Sequence, residues 1–172
     1  MPAVLGDDGS MIPIDGPYLF ADTALSSKWR GIIGDRKIGV CWQGSPRSER
    51  PYTRDLPVEF LHALDLTYGP FFSLNDEGQF ESYAATAAAI DALDLVITVD
   101  TSVAHLAGAL GKEVWLLLAF DPDFRWGLEG STTPWYPSMR IFRQPKLRDW
   151  KSVIAEVQDA LLYRKNDSAR AA

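Results

Sequence analysis

The chain has one cysteine, two histidines and no long uninterrupted apolar run among its 172 residues. A lone Cys41 excludes an intramolecular disulfide framework, and its setting in the apolar run "IGVCW" fits a small buried hydrophobe. Two histidines, His62 and His105, lie far apart in sequence, so no His/Cys pattern with metal-ligand spacing is present and no metal is expected. No run reaches the length that spans a bilayer, and the N-terminus lacks a basic-then-apolar signal pattern; a cytoplasmic location is the expectation. Positive charge is also scarce: 17 Lys and Arg against 23 Asp and Glu give a net charge of −6, which argues against a general nucleic-acid surface. Two fingerprints are missing as well. No G-x-G-x-x-G follows a strand, and no G-x-S-x-G surrounds a serine.

What is present is a globular composition, 47% hydrophobic and 23% charged, sufficient for one packed domain. Residues 1–21 are rich in Gly, Pro and Asp and read as a linker or lead-in; residues 22–165 read as the domain and 166–172 as a polar tail. The runs "KIGVCWQ", "PFFSL", "DLVITV", "EVWLLLAF" and "MRIFRQ" read as strands. Between and around them, "TALSSKWRGIIG", "PVEFLHAL", "GQFESYAATAAAIDAL", "TSVAHLAGAL" and "LRDWKSVIAEVQDALLYRK" read as helices. Continuously apolar strands alternating with helices predict a parallel sheet covered on both faces, a single Rossmann-like three-layer α/β sandwich.

In such a sheet ligands bind beyond the carboxyl ends of the strands. Three loops leave strands there: "QGSPRSERPYTRD", "DTS" and "DPDFRWG". Asp100, Thr101, Ser102 and His105 crowd the second, at the start of a helix whose free N–H groups and dipole favour an anion. The first carries Arg47, Arg50 and Arg54 in an otherwise acidic chain. Two anion-attracting features on one edge point to phosphate or diphosphate. Helix capping by Asp, Thr and Ser is the competing explanation for the cluster, and "DPD" is first of all a turn. A weaker alternative is an Asp100–His105 acid–base pair serving small-molecule catalysis.

The segments "LDLVITVDTSVAHLAGALGKEVWLLLAFDPDFRW" and "TTPWYPSMRIFRQ" resemble the C-terminal part of bacterial tetratricopeptide-repeat proteins with a glycosyltransferase-like domain. That domain is similar to the donor-binding half of the heptosyltransferases. The resemblance implies one half of a GT-B architecture that binds a nucleotide diphosphate-sugar, with inverting, metal-independent chemistry and no cofactor. It implies a diphosphate site made of Asp100, Thr101, Ser102, His105, Arg54, Gly44 and Ser45, with Arg47, Asp121 and Arg125 as further contacts; catalytic residues stay unassigned. An arginine, Arg54, stands where the family has a phosphate-facing lysine, and its guanidinium can grip phosphate through two parallel hydrogen bonds. Ala85 stands where relatives carry an aspartate. Only one Rossmann-like unit is expected, so catalysis would require an acceptor domain on a partner chain or in a homodimer. The alternative is a non-catalytic module of the same fold used for assembly, with Trp126, Trp135 and Tyr136 either on its exposed surface or buried within their own irregular stretch.

Overall fold

The computed structural model describes residues 16–44, 54–75 and 80–171, the side chains of 168–171 excepted. Asp22 opens the first helix, α1 (Thr23–Ile33), by accepting the Leu25 amide on its Oδ1 at 2.8 Å, and Gly34 ends it at φ 60°. Then follow β1 (Ile38–Cys41), α2 (Val58–Tyr68), β2 (Phe72–Ser73), α3 (Tyr83–Asp91), β3 (Leu95–Val99), α4 (Ser102–Ala109), β4 (Glu113–Leu118), a 3₁₀ turn (Phe124–Trp126), β5 (Met139–Arg143) and α5 (Trp150–Ala171).

The strands form one five-stranded sheet in the order β2-β1-β3-β4-β5, and every described pairing is parallel. The expected α/β sandwich is therefore the observed fold. The apolar runs divide by pleat. Val114, Leu116 and Leu118 of β4 join the core beneath α1, α3 and α4, while Trp115 and Leu117 join the core beneath α2 and α5. Leu95, Ile97 and Val99 of β3 likewise face the second core, and Val96 faces the first. The central strands β3 and β4 are almost wholly apolar because both of their faces are buried, whereas the edge strand β5 carries the exposed Arg140.

Packing explains the small residues. A Cβ on Gly39 of β1 would lie 2.4 Å from Leu93 Cδ1, so the strand passes close beneath that side chain. Ala87, Ala88 and Ala89 give α3 a low profile toward the core. Two elements differ from expectation. α3 starts at Tyr83, where Ser82 caps it, rather than at Gly78, and α5 runs through the expected polar tail to Ala171. Residues 166–171 contain no Gly or Pro to stop a helix.

The strand order places a topological switch between β1 and β3: the chain leaves β1 toward β2 on one side, and β3 lies on the other. Such a point leaves a crevice at the carboxyl ends of the two strands.

Candidate functional site

The crevice is floored by contacts between the ends of β1 and α4. Cys41 pairs with Thr98 in the sheet register, and the Cys41 sulfur lies 3.7 Å from Thr101 Oγ1. Burial pushes the Cys41 thiol pKa up, so the sulfur is a protonated packing atom rather than a nucleophile. Thr101 is the N-cap of α4: its Oγ1 accepts the Val103 amide at 3.2 Å and lies 3.3 Å from Thr98 Oγ1. Ser102, at the first helical position, has an amide without an intrahelical acceptor. Its side chain is exposed.

The loop after β1 is closed at its base by paired hydrogen bonds. Leu56 N–H donates to Trp42 O at 2.8 Å, and Gly44 N–H donates to Asp55 Oδ1 at 2.9 Å. From the β2 side, Asn75 Oδ1 accepts the Trp42 amide at 2.6 Å while its Nδ2 donates to Gln43 O at 2.7 Å. This clamp places Arg54 over Gly44, so closely that a Cβ on Gly44 would lie 2.0 Å from the guanidinium. Among the described residues Arg54 Nε is buried without a hydrogen-bond partner. Ser45, Arg47 and Arg50 lie outside the described residues.

An open cleft of about 500 Å³ gathers Arg54, Asp100, Thr101, Ser102, His105, Asp123 and Arg125. Five of the residues singled out as diphosphate ligands or further contacts by sequence line it with Arg54: Asp100, Thr101, Ser102, His105 and Arg125. Gly44 is not in its lining, and its amide is committed to Asp55, so its part is to give Arg54 room. Asp121 is exposed and also lies outside the lining. Asp123 enters it instead. The carboxylate of Asp123 accepts the Arg125 amide at 3.0 Å and the Arg125 guanidinium at 2.7 Å, capping the 3₁₀ turn; hydrogen bonds from Arg125 hold its pKa below the usual value against the opposing effect of burial.

The histidine wall is built from the irregular segment. His105 stacks on Trp126 with ring centroids 5.0 Å apart and 20° between planes, and its Nδ1 lies 3.0 Å from the Tyr136 hydroxyl. Burial lowers the His105 pKa; Asp100 opposes that shift, and Arg125 reinforces it. The imidazole is therefore neutral at pH 7. Trp126 and Tyr136 are 3% and 7% exposed, so of the two alternatives, exposed surface or burial in the irregular stretch, they take burial. Tyr136 packs inward over the bare backbone of Gly108, and Trp126 over the ring of His105. Trp135 is 36% exposed and donates its Nε1–H to Arg125 O at 2.9 Å.

Arg143, at the end of β5, ties down the same segment. Its guanidinium donates to the carbonyls of Trp126, Gly127, Glu129 and Gly130 at 2.6–3.2 Å. Sequence alone did not single out Trp126 and Tyr136 as site-building residues, nor Asp123 as a cleft residue. The available signal was Gly108 in the small-residue helix "SVAHLAGA", which announces a close neighbour without naming it.

No family model matches the chain. Protein FlbA of Caulobacter vibrioides is 36% identical over 75 residues, covering 44% of this chain and 12% of FlbA. The structure of the E. coli ADP-heptose LPS heptosyltransferase II superposes with a TM-score of 0.49 at 17% identity, covering 86% of this chain and 54% of that one. The chain thus spans about half the length of the solved structure and a small part of the curated relative. Among the described residues no helix is long and apolar enough to cross a membrane, and no group of three or more His, Cys, Asp or Glu side chains is placed to hold a metal ion.

Proposed function

We propose that the chain is a glycosyltransferase-like donor-binding domain that holds a nucleotide diphosphate-sugar and acts with an acceptor-binding domain. The observation that carries this reading is the gathering of Arg54 and the start of α4 around one cleft. An anion bridging the Arg54 guanidinium and the helix start would be held by charge-assisted hydrogen bonds from both. The cleft is not uniformly positive. Arg125 is paired with Asp123, and Asp100 adds a further carboxylate. A bare polyanion suits that mixture poorly. A diphosphate carrying a sugar suits it better, because carboxylates accept hydrogen bonds from sugar hydroxyls while Arg54 and the amides take the phosphate. The diphosphate would leave against Arg54 and the helix start, which oppose its developing charge.

The resemblance to tetratricopeptide-repeat-associated and heptosyltransferase-like proteins supports the same reading. Calorimetric titration with UDP, GDP and ADP and their sugar conjugates tests it. Saturable binding of one base series, tighter with the sugar attached, is expected; no heat from any of them at millimolar concentration would refute it.

A second reading, a non-catalytic assembly module, is favoured by Phe124 and Leu128, which are 81% and 83% exposed in the segment beside the cleft. Sedimentation of the chain alone, against Phe124→Ser with Leu128→Ser, tests it. A self-association lost in the double variant supports that role, and a monomer in both contradicts self-assembly.

A further inference from the structure

We propose that Asp123 is a specificity-determining residue: by neutralising Arg125 within one turn, it reserves the sugar end of the cleft for an uncharged sugar and disfavours one that carries a carboxylate. Both residues line the cleft together with Arg54, Asp100, Thr101, Ser102 and His105.

The pair is assembled before any ligand arrives. Asp123 Oδ1 accepts the Arg125 amide at 3.0 Å and the Arg125 guanidinium at 2.7 Å. The first of these bonds caps the 3₁₀ turn, so the backbone already fixes the carboxylate where the guanidinium meets it. The guanidinium carbon lies 4.7 Å from the centre of the Phe124 ring, a cation–π contact that holds its flat face. The backbone beneath is tethered as well: Trp135 Nε1–H donates to Arg125 O at 2.9 Å, and Arg143 donates to Trp126 O at 2.6 Å. Arg125 is thus held beside its own counter-ion.

The charges of the lining then decide what it tolerates. Its two arginines and two aspartates cancel formally, and burial lowers the His105 pKa, so the imidazole adds no charge at pH 7. Under the donor-domain reading, on which this inference rests, Arg54 and the start of α4 take the diphosphate. The sugar is left with Asp100, the Asp123–Arg125 pair and the neutral imidazole. Carboxylates accept hydrogen bonds from sugar hydroxyls. A carboxylate on the sugar would instead meet Asp100 and Asp123 while Arg125 is already engaged, which is discrimination by an unfavourable contact. The side chains of the pair are 48% and 36% exposed, so the effect is modest in size and weakened by salt.

Calorimetric titration of the whole chain with UDP-glucose and UDP-glucuronate tests this, read as the ratio of the two affinities. If neither binds, glucose 1-phosphate and glucuronate 1-phosphate, which carry no base, take their place. The wild type should favour the glucose ligand roughly tenfold, and added salt should shrink that ratio. Asp123→Asn keeps an oxygen for the Arg125 amide but frees the guanidinium, and should cancel or reverse the preference. Arg125→Gln leaves Asp123 unpaired and should widen it. A merely structural pair would lower both affinities alike in both variants, with the ratio unchanged; that result in variants whose melting curves show them folded, or equal affinities in the wild type, would overturn the proposal. Failure of all four ligands to bind the wild type would instead refute the donor-domain reading, and this inference with it.

Discussion

The ring of Tyr136 lies on the bare backbone of Gly108: a Cβ at that position would sit 2.5 Å from Tyr136 Cγ and 2.7 Å from Cδ1. No L-residue with a side chain fits without moving the ring. The ring in turn carries the hydroxyl that holds His105, so one missing methyl on α4 shapes the cleft wall on the opposite side of the tyrosine.

Gly108→Ala should therefore act twice. Overpacking of this kind costs about 1–3 kcal/mol, partly offset by the better helix propensity of alanine. The displaced Tyr136 should also release His105. Thermal denaturation together with the His105 NMR signal checks this: a lower melting temperature with an unchanged His105 signal would show that the ring moves without carrying the hydrogen bond.

Thr101→Ala removes the cap of α4 and should cost about 1 kcal/mol. Thr101→Ser keeps the oxygen that accepts the Val103 amide and should recover most of that loss. Urea denaturation of the pair separates capping from a direct role in ligand binding. If capping is the whole role, serine should restore binding along with stability.

His105 makes stability depend on pH in a defined direction. Its folded pKa lies below the ordinary value of 6.5, mainly through burial, so below pH 6.5 the unfolded chain takes up a proton that the folded chain resists. Stability should fall as pH drops from 6.5 toward the folded pKa, and this contribution should be flat above 6.5. His105→Gln should remove that part of the slope. Denaturation of both proteins from pH 7.5 to pH 5 measures it, and parallel curves would contradict it.

Arg143→Ala leaves four backbone carbonyls of residues 126–130 without their shared donor. A loss of about 2 kcal/mol is expected, since hydrogen bonds from a charged group are among the stronger ones and part of this group remains solvated. Hydrogen exchange should rise first around Trp126, ahead of the β3 and β4 amides; a uniform rise would mean that Arg143 supports the sheet rather than the loop.

The sheet was legible because its central strands β3 and β4 are nearly unbroken apolar runs, and the start of α4 because Thr101 and Ser102 precede a run of mostly small apolar residues. The loops that bear the cleft follow from strand direction alone. The irregular stretch from Phe120 to Ser138 was not legible in the same way. It has no period to say which aromatic faces inward, so Trp126 and Tyr136, which are buried, look the same in sequence as Phe124 and Leu128, which are exposed. Gly44 resembled an anion-binding glycine, but its amide is taken by Asp55, a contact set by how the loop closes rather than by local pattern. The early start expected for α3 came from reading "GQFE" as helical, whereas Ser82 supplies the actual cap.

Arg54 lines the cleft where an anionic ligand would sit, and calorimetric titration and thermal denaturation of wild type and Arg54→Ala with the same nucleotide diphosphate-sugars decide whether it holds one. Saturable binding in the wild type should weaken at least tenfold in the variant. The ligand-free variant should melt no lower, because the buried Nε it removes has no partner among the described residues. A variant that binds equally well, or one that loses stability instead of binding, would make Arg54 a structural residue and contradict the account.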